Sequence, residues 1–217
     1  VLYLSSLLQA GFDQTKDDAF YNQEQTLLTN ALKKEPFNKD MYKQLIKLYQ
    51  SKGEYDKAYE VYRDNADRYA YDMSWYETLI VQSYELGYQK LGEQDVAQKE
   101  QYFQTGLAAY QHVVDGVEHL KTLPKGQMQG NPFEITQPMV LNAGKMQFMM
   151  NEPAKAAEIF KVGIKDDLSD STNREIARWY LAALQKTGAT DQAVYDRLLK
   201  VDPSEKASIE QLANLTF

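Results

Sequence analysis

The chain has 217 residues, enough for one large domain or two small ones. Its 24 Lys+Arg against 31 Asp+Glu give a net charge of −7, which argues against a nucleic-acid backbone as main partner, because phosphate binding needs a positive surface. With no Cys and 2 His, it excludes disulfide frameworks, thiolate metal sites and cysteine nucleophiles, and leaves little histidine chemistry.

At 43% hydrophobic and 25% charged the composition is globular, and 11 Gly and 6 Pro are few for a turn-rich all-β chain. Tyr is unusually frequent, at 16. The chain begins at Val1, as a fragment or processed form would. The run Val1 to Leu8 is apolar except for Ser5 and Ser6. It is far shorter than the ~20 residues that cross a bilayer, and it lacks the basic start of a signal peptide. It reads as the first helix of the domain, a reading compatible with a membrane span cut away just before it.

In chain order, Val1 to Ala10 supplies a first helix, Gly11 to Asp18 a loop, and Leu27 to Pro36, with Ala31, a second helix. Next, Tyr42, Leu45, Ile46 and Tyr49 follow the i, i+3, i+4, i+7 spacing of one helix face. Gly53 permits the left-handed conformation that ends that helix, and Tyr55, Ala58 and Tyr62 begin an antiparallel one. Tyr42, Leu45, Ile46 and Gly53 recur 34 residues later as Tyr76, Leu79, Ile80 and Gly87, an internal repeat. After Gly87 the helix runs on to about Gly92. A long helix then spans about Asp95 to Lys121, roughly 40 Å at 1.5 Å per residue, striped by Phe103, Leu107, Tyr110, Val114 and Val117. Residues 122–136, with Pro124, Gly126, Gly130 and Pro132, form a loop. A further hairpin starts near Gln137, with Gly144, Ala156 and Phe160, and another near Arg174, with Tyr180, Leu184, Gly188 and Ala193. Thr172 and Glu175 have capping-box spacing; Asp202 is an N-cap candidate, with Pro203 first in the helix and Glu205 closing the box.

The residues Tyr42, Leu45, Tyr49, Ala58 and Tyr62, counted from Lys39, resemble the tetratricopeptide repeat (TPR); Ile46 at a small-residue position and Ala70 in place of Pro depart from it. The expectation is an all-α chain: a right-handed α-solenoid of TPR-like helical hairpins, with an elongated central pair and a terminal capping helix. The units are approximately 1–36, 39–70, 73–121, 137–167 and 173–201, with the cap over 203–215, in a single domain. The resemblance implies that the first helix of each unit lines a concave groove. Carried over, the groove residues are Lys43, Gln44, Lys47 and Gln50; Glu77, Thr78, Val81 and Tyr84; Leu141, Asn142, Lys145 and Phe148; and Arg178, Trp179 and Gln185. Tyr84, Phe148 and Trp179 either face that groove or pack between units, and both readings stay open. The Lys/Asn pair that clamps peptide C-termini in some family members is not reproduced, because Lys47 stands where Asn is expected.

A narrower resemblance rests on Leu141-Asn142-Ala143-Gly144, on Arg174-Glu175 with Trp179-Tyr180-Leu181-Ala182, on Leu184-x-Lys186-x-Gly188, and on Phe37-Asn38 after Pro36. These are similar to the C-terminal repeat regions of bacterial O-antigen ligase/polymerase-like membrane proteins. That implies a soluble interaction domain on the extracytoplasmic face of a bacterial membrane, attached through an upstream region, in surface-polysaccharide assembly. The alternative is a free cytosolic scaffold or peptide adaptor.

Chemistry is sparse. Gly126 and Gly130 lack the ending of a phosphate loop. His112 and His119 are two helical turns apart, too far to share a metal. Asp166, Asp167 and Asp170 lack the pattern of a calcium loop and read as local capping. No catalysis, cofactor or metal is expected in this chain. The expected partner is a protein or peptide, with a glycan as a second option and self-association left open.

Overall fold

The computed structural model describes residues 1–89, 96–124 and 133–217, and within these it is all-helical. Two units divide the chain, Val1–Ala70 and Tyr71–Phe217, where one continuous domain was expected.

The first unit holds α1 (Leu2–Thr15), α2 (Asp18–Lys34), α3 (Lys39–Ser51) and α4 (Tyr55–Asp64), then a 3-10 turn, Asp67–Tyr69. Successive helices pair as hairpins, and α1 also lies beside α3. Asp17 and Asn38 cap α2 and α3 by accepting from the N–H groups of Ala19 and Met41. The expected loop from Gly11 to Asp18 is almost entirely helix, because α1 runs four residues past Gly11. A side chain at Gly11 would press on the Phe20 ring, so glycine there serves close packing, and Lys16 makes the left-handed turn instead.

The second unit holds α5 (Met73–Gln89), α6 (Val96–Lys121), α7 (Gln137–Met149), α8 (Pro153–Gly163), α9 (Ser171–Lys186), α10 (Gln192–Val201) and α11 (Glu205–Ala213). Neighbouring first helices pack in series, α5 on α7 and α7 on α9, each paired with the second helix of its hairpin. The elongated central helix is present as α6, 26 residues long. The continuation to Gly92, the start at Asp95 and most of the 122–136 loop lie outside the described residues.

Three hairpins share one turn. The N–H of Glu54 bonds the carbonyl of Tyr49, Glu152 that of Gln147, and Ala189 that of Leu184, each across a residue at positive φ: Gly53, Asn151 and Gly188. Five residues beyond those turns stand Ala58, Ala156 and Ala193. Ala58 and Ala156 are buried, and a Cβ on Gly144 of α7 would overlap the Phe160 ring of α8. These recurring turns and close helix crossings make the hairpins TPR-like.

The 34-residue recurrence is core in both copies, since Tyr42, Leu45 and Ile46 are buried, as are Tyr76, Leu79 and Ile80. Gly87 does not end a helix; it sits inside α5, where a Cβ would come within 2.5 Å of Phe103. Other expectations need correction. Tyr55 is exposed, and the buried aromatic beside Ala58 is Tyr59, while Tyr62 is only half-buried, because α4 turns its Ala58–Tyr59 edge inward. Ala193 is exposed, and the neighbouring Val194 is the buried residue of α10. The N-cap of α9 is Asp170, which accepts from the N–H of Asn173, so Thr172 and Glu175 form no capping box. Asp202 bonds Ser204, and α11 begins at Glu205, whose carboxylate turns away to Arg178.

Candidate interaction surface

In the first unit, α3 turns Tyr42, Leu45, Ile46 and Tyr49 inward. The opposite face carries Lys43, Lys47 and Gln50, all exposed, at i, i+4 and i+7. Lys43 and Lys47 have no ion-pair partner among the described residues. Lys39 lies one turn before Lys43, and its pKa is held below the ordinary lysine value by burial and then by the charge of Lys43. Gln44 is half-buried and donates to Glu24 at 3.0 Å, so it braces α3 on α2.

In the second unit the predicted residues other than Arg178 split into two groups. Tyr84 of α5, Lys145 and Phe148 of α7, and Trp179 of α9 come together. The Lys145 ammonium is 2.6 Å from Glu175, 5.3 Å from the centre of the Tyr84 ring and 5.5 Å from that of Trp179. With a side chain only 12% exposed, it gains from both the ion pair and the ring faces. Burial pushes the Tyr84 hydroxyl up to about 12. Phe148 is fully buried and Trp179 is 7% exposed; they meet edge to face at 5.3 Å, and Phe160 stacks on the indole at 6.3 Å. These two rings therefore pack between hairpins and offer no open face.

Glu77, Thr78, Val81, Leu141, Asn142 and Gln185 form the second group. Glu77 accepts a 2.5 Å hydrogen bond from Thr136, which also caps α7. Thr78 and Asn142 bond the backbone of their own helices, at Ser74 and Pro138. Val81 and Leu141 are half-buried. Gln185 is exposed and borders a cavity of about 430 Å³ with Leu181, Tyr195 and Ile209.

Sequence reasoning missed that the chain's own last segment lies on this layer. Arg178 holds Glu205 of α11 through both Nε and Nη2, the latter at 2.6 Å, and Arg174 approaches the same carboxylate at 3.6 Å. Lys186 donates to the carbonyl of Leu215 and stands 5.0 Å from the Phe148 ring, which Phe217 meets at 6.1 Å. Nothing in residue spacing pairs Arg178 with Glu205, 27 positions on. The histidines have separate surroundings: His112 stacks on Tyr76 at 4.4 Å, and His119 is exposed. Of the acidic cluster, Asp170 caps α9 and Asp167 accepts from Ser169, both local contacts, while Asp166 departs from the expected capping and pairs with Arg197 of α10, 31 positions on. Among the described residues, no group of three or more His, Asp or Glu is placed to hold a metal ion, and no helix is long and apolar enough to cross a membrane.

The fold defines a TPR-like helical-hairpin protein. No family model matches the chain, and no curated protein matches it. Among solved structures it is similar to a thermophilic TPR protein of Thermus thermophilus, at 18% identity and a TM-score of 0.47, over 97% of this chain and 100% of that one.

Proposed function

We propose that this chain is a non-catalytic interaction scaffold that captures an extended acidic polypeptide segment on α3. The observation that carries this reading is the open row Lys43, Lys47 and Gln50. Two unpaired cations one turn apart, with Lys39 beside them, favour a ligand that brings carboxylates at matching intervals. An amide at Gln50 adds a donor and an acceptor for its backbone. The second unit offers its own candidate surface, with Glu77, Thr78, Tyr84, Asn142, Lys145, Arg178 and Gln185, while Phe148 and Trp179 support it from within. Fluorescence anisotropy with a labelled oligoglutamate peptide tests the reading. Binding is expected to weaken with salt and to be lost in Lys43→Glu/Lys47→Glu. Equal binding by a folded double variant removes α3 from the site.

We further propose the wider setting: the soluble extracytoplasmic part of a membrane O-antigen ligase/polymerase-like protein in surface-polysaccharide assembly. Its support is the sequence resemblance around Leu141–Gly144 and Arg174–Gly188. In that setting glycan transfer belongs to membrane segments outside this chain, and the hairpins position a protein or glycan acceptor. The gene sequence upstream of Val1 decides it. Several apolar runs of ~20 residues are expected there; their absence leaves the cytosolic scaffold.

A further inference from the structure

Glu24 is the most buried charged side chain among the described residues, at 0% exposure, ahead of Glu205 at 3%. Two arginines hold Glu205, but Glu24 has no ion-pair partner among the described residues. It stands on α2 where α1 and α3 meet, and its partners there are neutral. Its Oε1 accepts from Ser5 of α1 at 2.5 Å and from Gln44 of α3 at 3.0 Å. Its Oε2 accepts from no donor among the described residues, and neither does Oε1 of Gln9. Gln9 is 3% exposed and follows Ser5 by one turn on the buried face of α1. Two unanswered acceptors, one of them a carboxylate oxygen, therefore lie along one seam.

The donors along that seam are engaged elsewhere. The Ser5 hydroxyl gives its hydrogen to Glu24, and the Ser51 hydroxyl gives its own to the carbonyl of Leu48. The Gln9 amide donates to Asp13 at 3.1 Å and to Ser51 at 3.0 Å. Turning that amide over does not help, because its oxygen would then face the Asp13 carboxylate. A water supplies hydrogens to both oxygens but leaves the buried charge of Glu24 uncompensated, which is the unfavourable arrangement. A positive ion answers both needs. Calcium takes about 6–8 oxygens and gains affinity with the number of charged ligands. One carboxylate among neutral oxygens matches a single positive charge instead.

We propose that Glu24 Oε2, Gln9 Oε1 and the Ser5 hydroxyl oxygen bind a small alkali cation, Na+ or K+, between α1, α2 and α3. The ion fastens α1 to its unit by charge where apolar packing contributes little, since two of the three residues that α1 buries, Ser5 and Gln9, are polar. This site stands apart from the peptide reading of α3, and the two are tested separately.

Thermal melts of the 217-residue chain in NaCl, KCl and choline chloride at equal ionic strength are the test. Choline screens as the alkali ions do, but it is too large for a seam bridged by 3.0 Å hydrogen bonds. The Tm is expected to be at least ~3 °C higher in an alkali salt, as for any ligand that binds only the folded state. Amide hydrogen exchange in α1 should slow in the same salt. Glu24→Gln keeps an acceptor for Ser5 and Gln44 and removes the charge. Its melt is expected to be the same in all three salts and, in choline chloride, at or above that of the parent. Gln9→Met keeps the side chain's length and removes the oxygen. It is expected to lose most of the alkali effect, and it carries the test if Glu24→Gln does not fold. Equal melts of the parent in the three salts overturn the proposal, whether water or a proton then serves Glu24. So does a Glu24→Gln variant that keeps the alkali response.

Discussion

Arg178 on α9 grips Glu205 on α11 with two N–H donors, and the carboxylate it holds is only 3% exposed. The hydrogen bonds that the guanidinium donates to Glu205 raise its pKa. Arg174 adds a third contact, so one buried carboxylate fastens the last helix to the layer that holds Lys145 and Trp179. Removing it leaves two arginines facing a desolvated gap. Glu205→Ala is expected to cost about 2–3 kcal/mol, below the full buried-pair value because both arginines remain partly in water. Urea denaturation measures the loss, and hydrogen exchange should show α11 opening first. Unchanged stability would mean that Ile209 packing alone holds α11.

Two glycines separate strain from volume. Gly53 sits at φ 78° with nothing within 4 Å of a built Cβ, so Gly53→Ala pays only for the left-handed backbone, about 1 kcal/mol. Gly144 is helical and meets the Phe160 ring, so Gly144→Val forces α7 and α8 apart at about 3 kcal/mol. Ala58→Leu belongs with Gly144 and is expected to cost ~1–3 kcal/mol. Chemical denaturation of all three gives the order; a Gly53 variant that loses more than Gly144→Val contradicts it.

Trp179→Ala is expected to destabilise by about 3–5 kcal/mol, the usual range for deleting a core aromatic. It also removes a ring face from Lys145. Loss of partner binding in this variant therefore reports on folding, and the exposed Lys43 and Lys47 are the informative sites. A stable Trp179→Ala variant would return that ring to the open surface.

Alkaline pH should weaken the fold through its tyrosines. Burial raises Tyr84, Tyr110 and Tyr180 from 10.0 to about 12, with Asp191 assisting at Tyr180, and burial with Glu54 raises Tyr21 further. The folded state keeps these protons longer than the unfolded one. Their contribution is therefore complete below pH 10 and lost as pH rises through 12. Tyrosinate absorbance in buffer should show a late-titrating group that merges with the rest in urea. On the acid side, burial alone would raise the Glu54 carboxyl, but hydrogen bonds from Tyr21 and Lys57 hold it below its ordinary 4.5. Its contribution is present above the unfolded value and fades as pH falls through the folded one. A single tyrosine transition near the ordinary value would count against the burial.

Spacing along the chain was enough to determine the helical hairpins. Tyr42, Leu45 and Ile46 recur at 34, Gly53 and Gly188 end helices, and Ala58 and Ala156 mark close crossings, because helix periodicity and backbone sterics are local properties. Where a local signal was ambiguous, packing decided. Gly11 and Gly87 look like stops but are spaces cleared for Phe20 and Phe103, which a linear reading cannot see. Lys43, Lys47 and Gln50 were legible as a surface row because one amphipathic helix sets all three. Whether Phe148 and Trp179 stood in a groove or a core depended on neighbouring helices and on a segment as far away as Phe217. The inward Ser5 and Gln9 of α1 depend on Glu24 and Ser51, contacts that exist only once three helices have met. Local pattern settled which residues are helical; long-range pairing settled which faces are left for a partner.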